Sequence, residues 1–125
     1  MMLKKVMVVD DSRTMRHAIA AALAGVEFTV LEAADGLEGL ARIEENPDLA
    51  VVLCDVNMPR MNGLDMLSAV KRDPKNADLP IVMLTTEGQP AFIARAKAAG
   101  AKGWIVKPFK PEQLLAAVRK LAGAA

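Results

Sequence analysis

The sequence predicts an α/β protein: one doubly wound sheet of five parallel strands with helices on both faces. Two observations carry this prediction. Five short β-branched or aliphatic runs alternate with five helical patterns over short connections, which is typical of β-α units around a parallel sheet. The third run, which ends at Asp55, is continuously apolar, as a central strand covered on both faces should be.

The five strands are predicted at the runs of β-branched and aliphatic residues. In chain order they are Val6–Val9, Phe28–Leu31, Leu49–Cys54, Ile81–Leu84 and Trp104–Val106. Right-handed crossovers between parallel strands bring all the carboxyl ends to one edge of the sheet. Folds of this class bind their ligands at that edge.

Each predicted helix has an apolar stripe at helical spacing and a recognisable end. Ser12 can cap the first helix, the second spans about Gly36–Glu45, and the third ends before Pro74. The fourth covers Ala91–Ala99 and stops at Gly100, and the fifth begins at Pro111. The residues predicted to face the core are Met15, Ala18, Ile19, Ala22 and Leu23; Leu37, Leu40 and Ala41; Leu64, Leu67 and Val70; and Leu114, Leu115, Val118 and Leu121.

Length and composition predict a single domain over residues 1–125. With 53% hydrophobic and 25% charged residues the chain is typical of a compact globular protein. The net charge of +1, without any long Lys/Arg run, argues against a nucleic-acid binder. The lone Cys54 favours a reducing cytoplasm. The absence of a signal-peptide pattern, and of any apolar stretch near the ~18 residues of a membrane span, favours the same location.

Polar residues follow the predicted strands at the shared edge. They are Asp10 and Asp11 after the first strand, Asp55 after the third, Thr85 after the fourth and Lys107 after the fifth. Aspartate is common in turns, which would explain any one of the acids. Together they repel, since two carboxylates ~4 Å apart at an effective dielectric of 20 cost roughly 4 kcal/mol. A divalent cation relieves the repulsion, and oxygen ligands with room for water suit Mg²⁺.

Four motifs in this order and spacing carry a family resemblance. They are "VVDDS" (Val8–Ser12), "CDVNMPRMNG" (Cys54–Gly63), "MLTTE" (Met83–Glu87) and "WIVKPF" (Trp104–Phe109). The whole chain resembles the response-regulator receiver family, in particular its stand-alone chemotaxis members. The resemblance implies the strand order 2-1-3-4-5 of a flavodoxin-like fold. It also implies a signalling phosphoacceptor of a two-component system rather than an enzyme.

The resemblance also implies the roles of the acidic residues. Asp55 would be the phosphoacceptor, a carboxylate nucleophile that forms an acyl phosphate. Asp11 and Asp55 would bind Mg²⁺ directly, Asp10 would act largely through water, and the backbone carbonyl of Asn57 would complete the protein ligands. Asn57, Thr86 and Glu87 occupy the positions that tune phosphate hydrolysis in relatives.

A switch is implied as well. Lys107 would pair with one phosphoryl oxygen, and the Thr85 hydroxyl would hydrogen-bond another. One charge-assisted hydrogen bond supplies about 1.5–3 kcal/mol, whereas moving an equilibrium from 1:99 to 99:1 takes about 5.5 kcal/mol. Thr85 and Lys107 together would therefore nearly complete the shift. Trp104 would couple to it, at a position where Tyr or Phe is usual, and the Lys107–Pro108 bond is usually cis in this family.

The implied partners are proteins. A cognate histidine kinase would donate phosphate, a downstream target such as the flagellar motor would read the signal, and a phosphatase could end it. The chain is expected to be a monomer. The predicted output face combines the fourth helix, fifth strand and fifth helix, with candidate residues Phe92, Ala94, Ala98, Lys102, Trp104 and Lys110.

Three alternatives fit parts of the pattern. A haloacid-dehalogenase-like phosphatase would need a second acid two residues after the nucleophile, where Asn57 stands. A flavodoxin-like electron carrier would need a phosphate-binding loop where "DDSR" stands, and aromatics that a chain with no Tyr and one Trp lacks. A degenerate receiver would act only as a protein-binding module, but every position that the chemistry needs is filled here, and a phosphate sink would accept phosphate to drain it away rather than to signal. His17 is predicted to be a surface residue, Cys54 a core thiol, and Met58 and Met61 loop-packing residues.

Overall fold

A computed structural model describes residues 3–23, 28–86 and 90–123. Its five strands form one parallel sheet in the order β2-β1-β3-β4-β5, which confirms the predicted fold. The strands are β1 (Lys4–Val9), β2 (Phe28–Ala33), β3 (Leu49–Asp55), β4 (Ile81–Thr85) and β5 (Gly103–Val106). The helices are α1 (Arg13–Leu23), α2 (Gly36–Glu45), α3 (Gly63–Arg72), α4 (Pro90–Ala98) and α5 (Pro111–Leu121), with a 3-10 turn at Pro74–Asn76.

Every strand extends one or two residues beyond the apolar run that predicted it. β1 begins at Lys4, which pairs with Phe28, and β2 continues through Glu32 and Ala33, which pair with Val8 and Val9. Strand pairing uses backbone groups, so polar residues at a strand end can join the ladder without an apolar side chain. Hydrophobic pattern alone therefore predicts the buried centre of each strand and not its full length.

The sheet separates two apolar layers. Alternate residues of β1 face opposite sides: Met7 and Val9 join the layer beneath α2, α3 and α4, whereas Val6 and Val8 join the layer beneath α1 and α5. All four side chains are fully buried, as expected for a central strand of a parallel sheet. In the described part of the chain, none of the helices is long and apolar enough to cross a membrane.

The predicted inward face of α2 is confirmed at Leu40, which packs against the core, and wrong at the other two positions. Leu37 is 45% exposed and Ala41 is exposed, whereas Gly36, Gly39 and Ile43 are buried. A Cβ atom at Gly39 would lie 2.7 Å from the Met66 sulfur, so the helix packs closely through Gly39, with Leu40 beside the core and Leu37 outside it. In α1, Ala18 is likewise exposed. The predicted stripes of α3 and α5 are confirmed, with Leu64, Leu67, Val70, Leu114 and Val118 buried.

The register aligns the carboxyl ends of the central strands. Val9 lies beside Cys54, and Asp55 lies beside Leu84, so Asp10 and Asp55 emerge at the same level of the sheet. Thr85 pairs with Val106 one step further along, immediately before Lys107. The topology thus brings together residues that are distant in sequence at one edge.

Candidate metal centre at the carboxyl edge of the sheet

Three carboxylates meet at this edge, as predicted. Asp10, Asp11 and Asp55 each present an oxygen, and these atoms all lie within 4.8 Å of one another. Asp10 and Asp55 are 1% and 7% exposed, whereas Asp11 is open to solvent. The cluster therefore has a buried floor and an open side.

Lys107 reaches into the cluster from β5. Its Nζ lies 3.3 Å from Asp10 Oδ2 and 3.2 Å from Asp55 Oδ1. Its backbone amide donates to the Thr85 carbonyl at 2.7 Å, and the Lys107–Pro108 peptide is cis, as expected from the resemblance. Thr85 itself is 1% exposed at the end of β4.

Asp10 is fixed by the protein on both carboxylate oxygens. Oδ1 accepts from the Ser12 amide at 2.9 Å, and Oδ2 accepts from Lys107. The Asp10 carbonyl accepts from Arg16 Nη1 at 2.7 Å, and Arg16 Nε donates to Glu32 at 3.1 Å. Ser12 also caps α1, as predicted, through the Met15 amide at 3.1 Å. Asp10 is thus anchored as a fixed negative charge behind the other two acids.

The electrostatics of the cluster favour an added cation. Burial, followed by the charge of Asp10, raises the pKa of Asp55 above its ordinary value, against the opposing effects of Lys107 and the Val56 amide. Burial acts to lower the pKa of Lys107, but the charges of Asp10 and Asp55 outweigh it, and the net shift is upward. Three carboxylates against one ammonium leave two formal negative charges. This donor set fits a divalent ion bound through oxygen.

Of the remaining predicted site residues, the structure describes Asn57 and Thr86. Asn57 and Thr86 are exposed on the loops that follow β3 and β4. Glu87 lies outside the described residues. Cys54 is fully buried, burial raises the pKa of its thiol, and its sulfur lies 3.9 Å from that of Met66, which confirms a core thiol. His17 is a surface residue, as predicted, with its ring 4.0 Å from Glu32.

Sequence reasoning missed an ion pair next to the site. Arg60, in the loop after Asp55, donates through Nε to Asp35 Oδ2 at 2.7 Å and through Nη2 to the same oxygen. Asp35 is 4% exposed and caps α2 by accepting from the Glu38 amide at 2.9 Å. That amide, and then Arg60, hold the pKa of Asp35 below its ordinary value despite burial. "ADG" signals a helix cap, but no local pattern signals a partner 25 residues away.

The predicted output face has an aromatic at its centre. Trp104 on β5 is half-buried against the core, and Lys97 of α4 places its Nζ 5.6 Å from the ring centroid. Phe92 is also half-buried on α4. The other candidates, Ala94, Ala98, Lys102 and Lys110, are exposed.

Comparisons with known proteins give consistent matches over most of the chain. The sequence model of the protein family described as the response regulator receiver domain matches residues 6–119 of this chain. A chemotaxis protein CheY1 of Helicobacter pylori is 44% identical over 111 residues, covering 88% of this chain and 90% of the relative. A CheY homolog of Campylobacter jejuni is also 44% identical, covering 88% of this chain and 85% of the relative. The crystallised response regulator CheY4 of Vibrio cholerae has a TM-score of 0.89 at 40% identity, covering 96% of this chain and 99% of that one.

Proposed function

The chain belongs to the response-regulator receiver family and is a chemotaxis-type receiver, and from that premise we propose that it carries a phosphoryl signal on Asp55. Such receivers are signalling proteins of two-component systems and not classical enzymes. The observation that carries the proposal is the meeting of Asp10, Asp11, Asp55 and Lys107 at one edge of the sheet. Asp55 is the member of that group that lies at the buried floor and also ends a central strand.

The proposed reaction is transfer from a phosphohistidine of a cognate kinase. A carboxylate oxygen of Asp55 attacks phosphorus, the P–N bond breaks, and the imidazole leaves and recovers a proton. The product is an acyl phosphate on Asp55. The ammonium of Lys107, already 3.2 Å from Asp55, is positioned to pair with an oxygen of the incoming group.

The metal site is proposed to hold Mg²⁺ through Asp11, Asp55 and the backbone carbonyl of Asn57. Asp10 acts from behind, largely through water, because both of its oxygens already accept hydrogen bonds from the protein. When bound, Mg²⁺ offsets the negative charge of the carboxylates and of the incoming phosphoryl oxygens. Asp10 and Lys107 hold the floor of the site in place around it.

The signal is proposed to leave through Thr85 and Trp104. Thr85 hydrogen-bonds the phosphoryl group, and the space that it vacates lets Trp104 turn inward. A downstream target, such as the flagellar motor, reads the face formed by α4, β5 and α5. Asn57, Thr86 and Glu87 set the lifetime of the phosphoryl group. An aromatic anchor among small and charged side chains suits a modest protein-binding patch.

Phosphorylation with a small-molecule donor tests the proposal. Acetyl phosphate with Mg²⁺ should add one phosphoryl group to the wild type and none to Asp55→Asn, as measured by intact mass. Mg²⁺ should raise the melting temperature of the wild type by mass action but not that of Asp11→Ala. Labelling of Asp55→Asn, or labelling that persists in excess chelator, would overturn the assignment.

A further inference from the structure

The loop of residues 56–62 connects the proposed phosphoacceptor to α3 and includes the proposed Asn57 ligand. The site therefore works only if this loop keeps its shape. Its two ends are fixed: the Val56 amide donates to Asp55 Oδ1 at 2.9 Å, and the Gly63 amide donates to the Val56 carbonyl at 2.9 Å. The middle of the loop is held by the contact between Arg60 and Asp35.

Arg60 has an unusual backbone conformation. Its φ is +63°, in the left-handed region that residues other than glycine rarely adopt. Such a conformation persists only where the surroundings impose it, and it is found at functional sites more than elsewhere. Here the guanidinium reaches Asp35, whose carboxylate is buried and capped onto α2, so the partner is rigid.

A second contact holds the loop beside the first. The Gly36 amide donates to the Met61 carbonyl at 3.1 Å. A Cβ atom at Gly36 would lie 2.7 Å from that oxygen and from Met61 Cγ, so only glycine lets the loop come this close. Met58 and Met61 also pack against the core, but apolar contacts are not directional and do not fix a carbonyl.

We propose that the Arg60–Asp35 ion pair is a clamp that positions the loop of residues 56–62 so that the Asn57 carbonyl faces the metal site. Arg60 and Asp35 are positioning residues and touch neither metal nor phosphate. The clamp rests on the proposed function, because it acts through the proposed Mg²⁺ ligand. The pair also ties the N-terminus of α2 to the loop of residues 56–62.

Metal affinity, measured apart from stability, tests the clamp. Arg60→Gly keeps the positive φ without strain and removes the guanidinium, while Asp35→Asn keeps an oxygen for the Glu38 amide and removes the charge. Each should weaken Mg²⁺ binding, measured by calorimetric titration well below the melting temperature. The loss should be roughly 3- to 10-fold, at or below the lower end of the range for groups that contact a metal ligand directly.

The combined variant should be no weaker than either single one, because both remove the same contact. Acetyl phosphate labelling should slow by the same factor at low Mg²⁺ and recover at saturating Mg²⁺. Arg42→Ala is the matched control: it removes an exposed α2 arginine, 4.0 Å from Glu45, and should change neither reading.

The outcomes separate this inference from the proposed function. If wild type binds Mg²⁺ and both variants bind it equally well, while only their melting temperatures fall, the pair is structural and the clamp is wrong. If the losses simply add in the combined variant, the two residues act separately and the clamp is also wrong. If wild type itself binds no Mg²⁺, the proposed metal site fails and the clamp fails with it.

Discussion

At the scale of single residues, Asp55 lies where its charge is unfavourable. It is nearly buried, it faces Asp10, and one ammonium is shared between the two carboxylates. The raised pKa means that the native protein holds this proton more tightly than the unfolded chain does. Between the ordinary carboxyl pKa and the raised one, stability therefore falls as pH rises, and the penalty is complete above the raised value.

Asp55→Asn should remove that penalty. Without Mg²⁺ at neutral pH its melting temperature should exceed that of wild type by a few degrees, about 1 kcal/mol for a chain of this size. Thermal melts at successively lower pH should show the difference shrinking, because the raised pKa lets the wild-type carboxylate take up its proton before an ordinary aspartate does. A difference that grows on acidification would mean that charged Asp55 stabilises the apo protein.

The same residues show what a sequence can reveal about a site. Asp10, Asp11, Asp55 and Lys107 were predictable because each follows a strand, and parallel topology sends all strand ends to one edge. The Arg60–Asp35 pair could not be predicted, because it depends on the paths of two loops. Loop geometry, unlike a helix or a strand, leaves no periodic pattern in the sequence.

At the scale of elements, the connection from α3 to β4 depends on one lysine. Lys71 donates through Nζ to the carbonyls of Asn76, Ala77 and Leu79, at 3.1, 3.2 and 2.6 Å. Its stem covers Gly100 after α4. A single side chain thus satisfies three carbonyls in a segment that contains only one short 3-10 turn.

Lys71→Met should keep the stem and lose these hydrogen bonds. We expect a loss of about 1–3 kcal/mol in the free energy of unfolding, measured by urea titration. Lys75→Met is the control: it removes only exposed ion pairs to Glu44 and Asp73, and the free energy of unfolding should stay close to that of wild type. Equal effects from the two substitutions would contradict a special role for Lys71.

Helix positions were predicted better than helix faces. α2 matched its predicted range of Gly36–Glu45, yet of its three predicted core residues only Leu40 packs inward, while Leu37 and Ala41 are exposed. Hydrophobic periodicity ranks side chains by apolar character, and it misses a helix that packs closely through glycine. In α3 and α5, where large aliphatic residues fill the interface, the same reasoning succeeded.

At the scale of the whole molecule, charge is divided along the chain. Residues 90–123 carry seven of the sixteen basic residues and one of the fifteen acidic ones, whereas the near-neutral total hides this division. The metal centre is acidic, whereas the segment that contains α4, the edge strand β5 and α5 is basic. The overall net charge of +1 did not predict a basic patch, because the excess of basic residues appears only when residues 90–123 are counted separately.

Trp104 should report communication between these two regions. Beryllofluoride with Mg²⁺, which mimics a phosphoryl group, should change the emission of this sole tryptophan as it leaves its position beneath Lys97. Asp55→Ala should show no change, and Lys97→Met should alter the starting emission but keep the response. An unchanged Trp104 spectrum in wild type, with amide shifts confined to the metal centre, would mean that the signal leaves by another surface.

The buried thiol of Cys54, beside Asp55, can serve as a chemical probe of unfolding. Only a thiolate reacts quickly with iodoacetamide, and in the folded protein Cys54 is both inaccessible and hard to ionise. Alkylation of this single cysteine therefore requires that the structure around the central strand β3 unfold transiently. The rate of Cys54 labelling therefore measures how often the protein unfolds around the residue next to the proposed phosphoacceptor. A ligand that binds only the folded protein should lower this labelling rate in proportion to the fraction of protein that it occupies.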